Sequence, residues 1–193
     1  AKDDDYDTFG QGGGVSNFNG KIYMSGGNIS NNECQYRGGG VWNYGEDKNT
    51  TIFEITGGSI INNKVTSSNI YSGGGGVAAY AISMYDDAEH ISKVNIIMKG
   101  GTISGNKAYN GGGIWGFLFN NSDEGIVPEV NITLSGGTIS NNTAKNNGGG
   151  IFNSYGAIKM SGGKISENIA SLGGGVYFDF NKFTMTDGSI TQN

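Results

Sequence analysis

Apolar and polar residues alternate in short bursts along this chain, and each burst runs into a glycine pair, or Asp-Gly in the last case. Count back from the second residue of each pair: Gly27, Gly58, Gly101, Gly137, Gly163 and Gly188. The fifth residue back is Ile22, Phe53, Ile96, Ile132, Ile158 or Phe183, and the third back is Met24, Ile55, Met98, Leu134, Met160 or Met185. Between these rows stand Tyr23, Glu54, Ile97, Thr133, Lys159 and Thr184, which are of mixed character. A period of two is that of a strand with one buried face. Two residues past each pair comes isoleucine every time: Ile29, Ile60, Ile103, Ile139, Ile165 and Ile190. The pattern predicts two short strands joined by a glycine bend.

Further rows follow the isoleucine. Three residues on stands asparagine: Asn32, Asn63, Asn106, Asn142, Asn168 and Asn193. Asparagine tolerates the left-handed backbone region and can both donate and accept through its amide. Stacked at a strand spacing of about 4.8 Å, these side chains would satisfy one another as a ladder. Two positions further come Cys34, Val65, Ala108, Ala144 and Ala170, a small apolar row that makes Cys34 a buried filler rather than a reactive thiol. An aliphatic marker after each glycine run, Val15, Val41, Val77, Ile114, Ile151 and Val176, closes the period.

From marker to glycine pair the spacing is 12, 17, 24, 23, 12 and 12 residues, and the return takes 14, 19, 13, 14 and 13. A basic turn of about 25 or 26 residues signals a solenoid, in which each turn buries its inward side chains only against its neighbours. The expected architecture is all-β: a parallel β-helix of about six coils over residues 12–193, with loop insertions in coils two to four. Residues 1–11 read as an acidic lead-in or the end of a preceding coil. Long coils of variable length with an asparagine ladder look like the pectate-lyase type of β-helix, and that resemblance implies a right-handed winding.

Composition narrows the class. The 193 residues include 37 glycines and a single proline, too much glycine for a helical globule, and no three-residue glycine period makes it collagen-like. Net charge is −5 and Arg37 is the only arginine, so no basic stripe exists for nucleic acid or anionic lipid. One cysteine cannot form an intrachain disulfide. No apolar run reaches the roughly 20 residues that cross a bilayer as a helix.

The phrases Gly39-Gly40-Val41, Gly112-Gly113-Ile114, Gly149-Gly150-Ile151 and Gly174-Gly175-Val176 are one half of a motif pair. The other half is Ile-x-x-Asn at Ile29 to Asn32, Ile103 to Asn106, Ile139 to Asn142 and Ile165 to Asn168. Together they resemble the Gly-Gly-Ala-Ile and Phe-x-x-Asn repeats of polymorphic outer-membrane proteins and related adhesin-like β-helices. Isoleucine stands here for phenylalanine, and a third glycine for alanine. The resemblance implies a bacterial surface or secreted protein in an extracellular setting.

Within such a repeat almost every position is structural, so function is sought in its decorations. The insertions, residues 45–49, 83–90 and 120–125, interrupt one turn of neighbouring coils and should form a protruding acidic wall. Asp86, Asp87, Glu89, Asp123 and Glu124 offer hard oxygen ligands suited to calcium, while Asp86 and Asp123 could serve as a general acid and base on a polysaccharide. The simplest reading of the same wall is a solvated acidic loop. Beside the markers runs a second column: Ser16, Trp42, Ala78, Trp115, Phe152 and Tyr177. Alternation turns it outward, which predicts exposed aromatics. Trp42, Trp115, Phe152 and Tyr177 are therefore candidate platforms for sugar rings, unless they only stack on one another.

The expected function is an adhesin-like binding or display module for a glycan or host surface protein. It would need no cofactor beyond calcium, insert in no membrane, and stack end to end or join flanking domains of a longer chain. The alternative is a polysaccharide lyase or glycoside hydrolase of the pectate-lyase-like class.

Overall fold

A computed structural model describes residues 10–83, 90–120 and 127–193. It is all-β, and every pairing between its strands is parallel. Each repeat lies on the next in the register that the sequence rows predict. Thus Ile22, Phe53, Ile96, Ile132, Ile158 and Phe183 pair in succession, as do Val15, Val41, Val77, Ile114, Ile151 and Val176. These rows and the isoleucine row converge on one core, with Phe53, Ile60, Ile96, Ile103, Ile114, Ile132, Ile139 and Ile151 wholly buried. In the first and last repeats the equivalent residues, such as Val15, Ile22, Phe183 and Ile190, are only partly buried. That is the expected gradient where burial comes from neighbouring turns.

The bends behave as the glycines require. In each pair the second glycine is left-handed, with φ of 77, 87, 76, 81, 85 and 97° from Gly27 to Gly188. In repeats four to six the strand runs through this bend, as in Glu129–Ser140, with register shifts on either side of Ser135.

The asparagine row forms the expected ladder. Nδ2 of Asn32, Asn63, Asn106, Asn142 and Asn168 donates to Oδ1 of the next asparagine at 2.9, 3.1, 2.9, 2.9 and 2.9 Å. The same Oδ1 accepts the backbone N–H of the preceding asparagine, and from Asn63 onward Nδ2 also donates to an isoleucine carbonyl one repeat back. Left-handed geometry, however, belongs to the residue before each ladder asparagine: Asn31, Asn62, Gly105, Asn141, Glu167 and Gln192 all have φ between 56 and 66°. The ladder residue itself is held by its bonds. A second, shorter pairing joins Asn17 to Asn43 at 3.1 Å; Ala79 and Gly116 then interrupt that column before Asn153.

Cys34 packs with Val65 and Ala108 as the small-residue row predicts. Its thiol donates to the Arg37 carbonyl at 3.2 Å, and burial raises its pKa from 9.0 to about 11. At pH 8 the folded thiolate fraction is then about 100-fold below that of the unfolded chain. Iodoacetamide should label folded protein at least about 100-fold more slowly than protein in urea. Labelling within tenfold of the unfolded rate would show that Cys34 is accessible.

Candidate functional site

Two outward surfaces and one loop cluster carry side chains beyond the demands of the repeat. The first is the outer face of the sheet built from Lys21–Met24, Thr50–Ile55, Lys93–Met98, Glu129–Ser140, Ile151–Ser166 and Val176–Thr191. Its inward residues fill the core, so the alternate residues point out in columns. One column runs Ile52, Asn95, Asn131, Ala157 and Lys182; its neighbour runs Glu54, Ile97, Thr133, Lys159 and Thr184. Here Asn95, Glu129, Asn131, Thr133, Ala157 and Lys159 line a shallow polar groove of about 310 Å³. Glu129 is tied on two sides, by Lys93 at 3.4 Å and by the Asn131 amide, which donates to it at 3.2 Å. The amides, the hydroxyl and Lys159 leave a surface rich in donors and acceptors. The sequence rows marked these outward positions only as mixed. The signal that could have found them was the recurrence of Asn95 and Asn131 six residues before the second glycine of neighbouring pairs.

The second surface is the aromatic column, and here exposure differs from expectation. Alternation does turn Trp42, Trp115, Phe152 and Tyr177 away from the main core, but they build a second apolar layer instead of an open platform. Trp42, Trp115 and Phe152 are buried and Tyr177 is half-buried. A neighbouring column, Phe18, Tyr44, Tyr80 and Phe117, lies two residues further along and stacks with it; Trp115 and Phe117, for example, are 5.3 Å apart. The segment just before Gly73 helps to close the layer. Arg37 Nε donates to the Tyr71 carbonyl at 3.2 Å, the Asn110 amide donates to the Ile70 carbonyl at 2.8 Å, and Tyr71 meets Phe117 edge-on. The 19-residue return between repeats two and three, the longest of the five, is the sequence trace of that cover.

Sequence reading also missed Arg37. It is 5% exposed, with its guanidinium 4.5 Å from the Tyr80 ring centre, 5.7 Å from Trp42 and 5.9 Å from Trp115. Its level is that of Ala78, where the column lacks a ring.

The loop cluster is the acidic wall. Asp47 and His90, from the insertions of repeats two and three, approach within 3.6 Å, so these two insertions do meet. Asp86, Asp87, Glu89, Asp123 and Glu124 lie outside the described residues. Among the described residues no three histidine, cysteine or carboxylate side chains converge on a point that would hold a metal ion.

Compared with protein families, with characterised proteins and with solved structures, the chain matches none.

Proposed function

We propose that the chain is a right-handed parallel β-helix of six coils that acts as an extracellular, adhesin-like module, holding a glycan along the outer sheet face. The observation that carries this reading is the groove over Asn95, Asn131, Thr133 and Lys159, a shallow strip of amides, a hydroxyl and an ammonium on paired parallel strands. Sugar hydroxyls both donate and accept, and such groups pair with them without a deep pocket. Binding is favoured over turnover by the state of Glu129. Among the described residues it is the one carboxylate lining the groove, and it is engaged by Lys93 and Asn131, whereas glycoside hydrolysis ordinarily draws on two carboxyl groups across the scissile bond. The extracellular setting rests on the resemblance of the Gly-Gly-x and Ile-x-x-Asn phrases to surface adhesin repeats.

A glycan array of neutral and acidic polysaccharides tests the proposal. Retention of at least one glycan is expected, weakened at least about tenfold in Asn131→Ala and in Lys159→Ala, whose circular dichroism should match the parent. No retention on the array would overturn glycan binding and leave a scaffold. Release of new reducing or unsaturated ends would replace it with the carbohydrate-active enzyme.

A further inference from the structure

The aromatic layer contains two places where a ring is missing, and the fill of one indicates what the other accepts. In the column that pairs Ser16, Trp42, Ala78 and Trp115, small side chains stand at Ala78 and at Ser16. At the level of Ala78 the space between the two indoles is taken by the Arg37 guanidinium, which lies over Tyr80, the aromatic of the neighbouring column in that repeat. The layer thus accepts a flat cation where it lacks a flat ring. Indole and phenol faces attract a guanidinium electrostatically, and most strongly where water is thinned out.

The position of Ser16, two repeats toward the start of the chain, presents one side of the same geometry. Trp42 stands on the next repeat, and Phe18 takes the place that Tyr80 has beside Ala78. Among the described residues, Gln11, Ser16, Phe18, Trp42, Tyr44 and Glu46 line a groove of about 320 Å³ there. Its walls are aromatic and already ordered: Phe18 stacks on Tyr44 at 5.1 Å, and Tyr44 on Trp42 at 5.9 Å. Phe18 is 60% exposed, so its face is available, while Trp42 at 5% forms the floor. A carboxylate stands among these lining residues, for Glu46 accepts the Tyr44 hydroxyl at 2.8 Å and is thereby fixed beside the rings. Aromatic faces with one anchored carboxylate complement a planar cation, and the chain's net charge of −5 favours its approach.

We propose that the groove beside Ser16 is a binding site for a guanidinium cation, the arginine side chain of a partner protein, gripped between Phe18 and Trp42 and paired with Glu46. The site is separate from the glycan groove and does not depend on it. Internal Arg37 and an external arginine would occupy equivalent levels of one aromatic layer.

The test titrates the full chain with Nα-acetyl-arginine N-methylamide, following tryptophan emission and amide chemical shifts. The controls are the corresponding lysine and citrulline amides, citrulline being the neutral isostere of arginine. Saturable binding of the arginine compound is expected, at least about fivefold tighter than lysine and at least about tenfold tighter than citrulline. Glu46→Gln keeps an acceptor for Tyr44 yet should weaken binding about fivefold to tenfold. Ser16→Tyr, which supplies the ring that four of the six repeats carry at this position, should abolish binding. If Ser16→Tyr fails to fold by circular dichroism, Phe18→Ala takes its place, with the same loss expected. No saturable response to the arginine compound, an equal response to citrulline, or undiminished binding in a folded Ser16→Tyr or Phe18→Ala protein would overturn the site.

Discussion

Gly75→Ala is expected to destabilise the protein by about 3 kcal/mol or more, against a near-neutral Gly26→Ala. The contrast comes from space, since neither glycine has a left-handed φ. A Cβ on Gly75 would lie 2.5 Å from the Gly112 carbonyl oxygen and 2.6 Å from both the nitrogen and the oxygen of Lys107. All three atoms are backbone of the next repeat, so no rotamer change can relieve the contact. Moving Gly75 away would stretch the bonds that tie its run to both neighbours: Gly39 to Gly74 at 3.0 Å, Gly40 to Gly75 at 3.1 Å and Gly76 to Gly112 at 3.1 Å. At Gly26 an added Cβ meets nothing within 4 Å. Alanine there also restricts the unfolded chain, which can add about 0.4–1 kcal/mol of stability. Urea unfolding of the two variants decides the matter. A Gly75→Ala unfolding free energy within about 1 kcal/mol of the parent's would mean that the turns are not packed backbone to backbone.

That packing explains how much of the molecule could be read in advance. Rows such as Ile29 to Ile190 and Asn32 to Asn193 recur because each repeat faces the same neighbour at the same register, so sequence period and contact coincide. The parallel strands, the buried isoleucines, the ladder and the burial of Cys34 all follow from it. Exposure does not. Whether a side chain on the outer face stays wet depends on what else lies on that face, and Trp42 and Trp115 are covered by a second column, by Arg37 and by the segment carrying Tyr71. The second column keeps the period of the first, two residues further on, but Arg37 and Tyr71 have no counterpart in the other repeats. Left-handed geometry was assigned one residue late for a related reason. Asparagine has two ways to be useful in a turn, and the invariant residue uses its side chain while its predecessor, Glu167 or Gln192 as readily as Asn141, takes the unusual backbone angle. The polar groove stayed hidden because its rows change character from repeat to repeat, Ile52, Asn95, Asn131 and Ala157 in one and Glu54, Ile97, Thr133 and Lys159 in the next, and they become a surface only when the strands are laid side by side.

The ladder offers the largest effect that depends on a single side chain. Asn142→Leu should cost about 3–5 kcal/mol, because Asn142 makes bonds in both directions and is wholly buried. Its Oδ1 accepts from the Asn106 backbone and amide at 3.0 and 2.9 Å, and its Nδ2 donates to the Ile103 carbonyl and to Asn168 at 2.9 Å each. Leucine strands the Asn106 N–H where water cannot reach it. Asn32 begins the ladder and is half-buried, and among the described residues its side chain gives one bond, to Asn63. Asn32→Ala should therefore cost about 1 kcal/mol, and equal losses at the two positions would contradict a directional ladder. Asn142→Asp sharpens the test, since it keeps the shape and replaces the donor with an acceptor. The buried carboxylate would face the Ile103 carbonyl and Asn168 Oδ1, so the folded state favours the protonated form and its pKa rises above the unfolded value of about 3.9. Between those two values the folded chain holds the extra proton. Stability must then fall as pH rises above about 4, by up to about 1.4 kcal/mol per unit until the folded pKa is reached. Unfolding curves for Asn142→Asp that run parallel to the parent's from pH 4 to 7 would show that the amide hydrogens of Asn142 are not what bind its turn to the next.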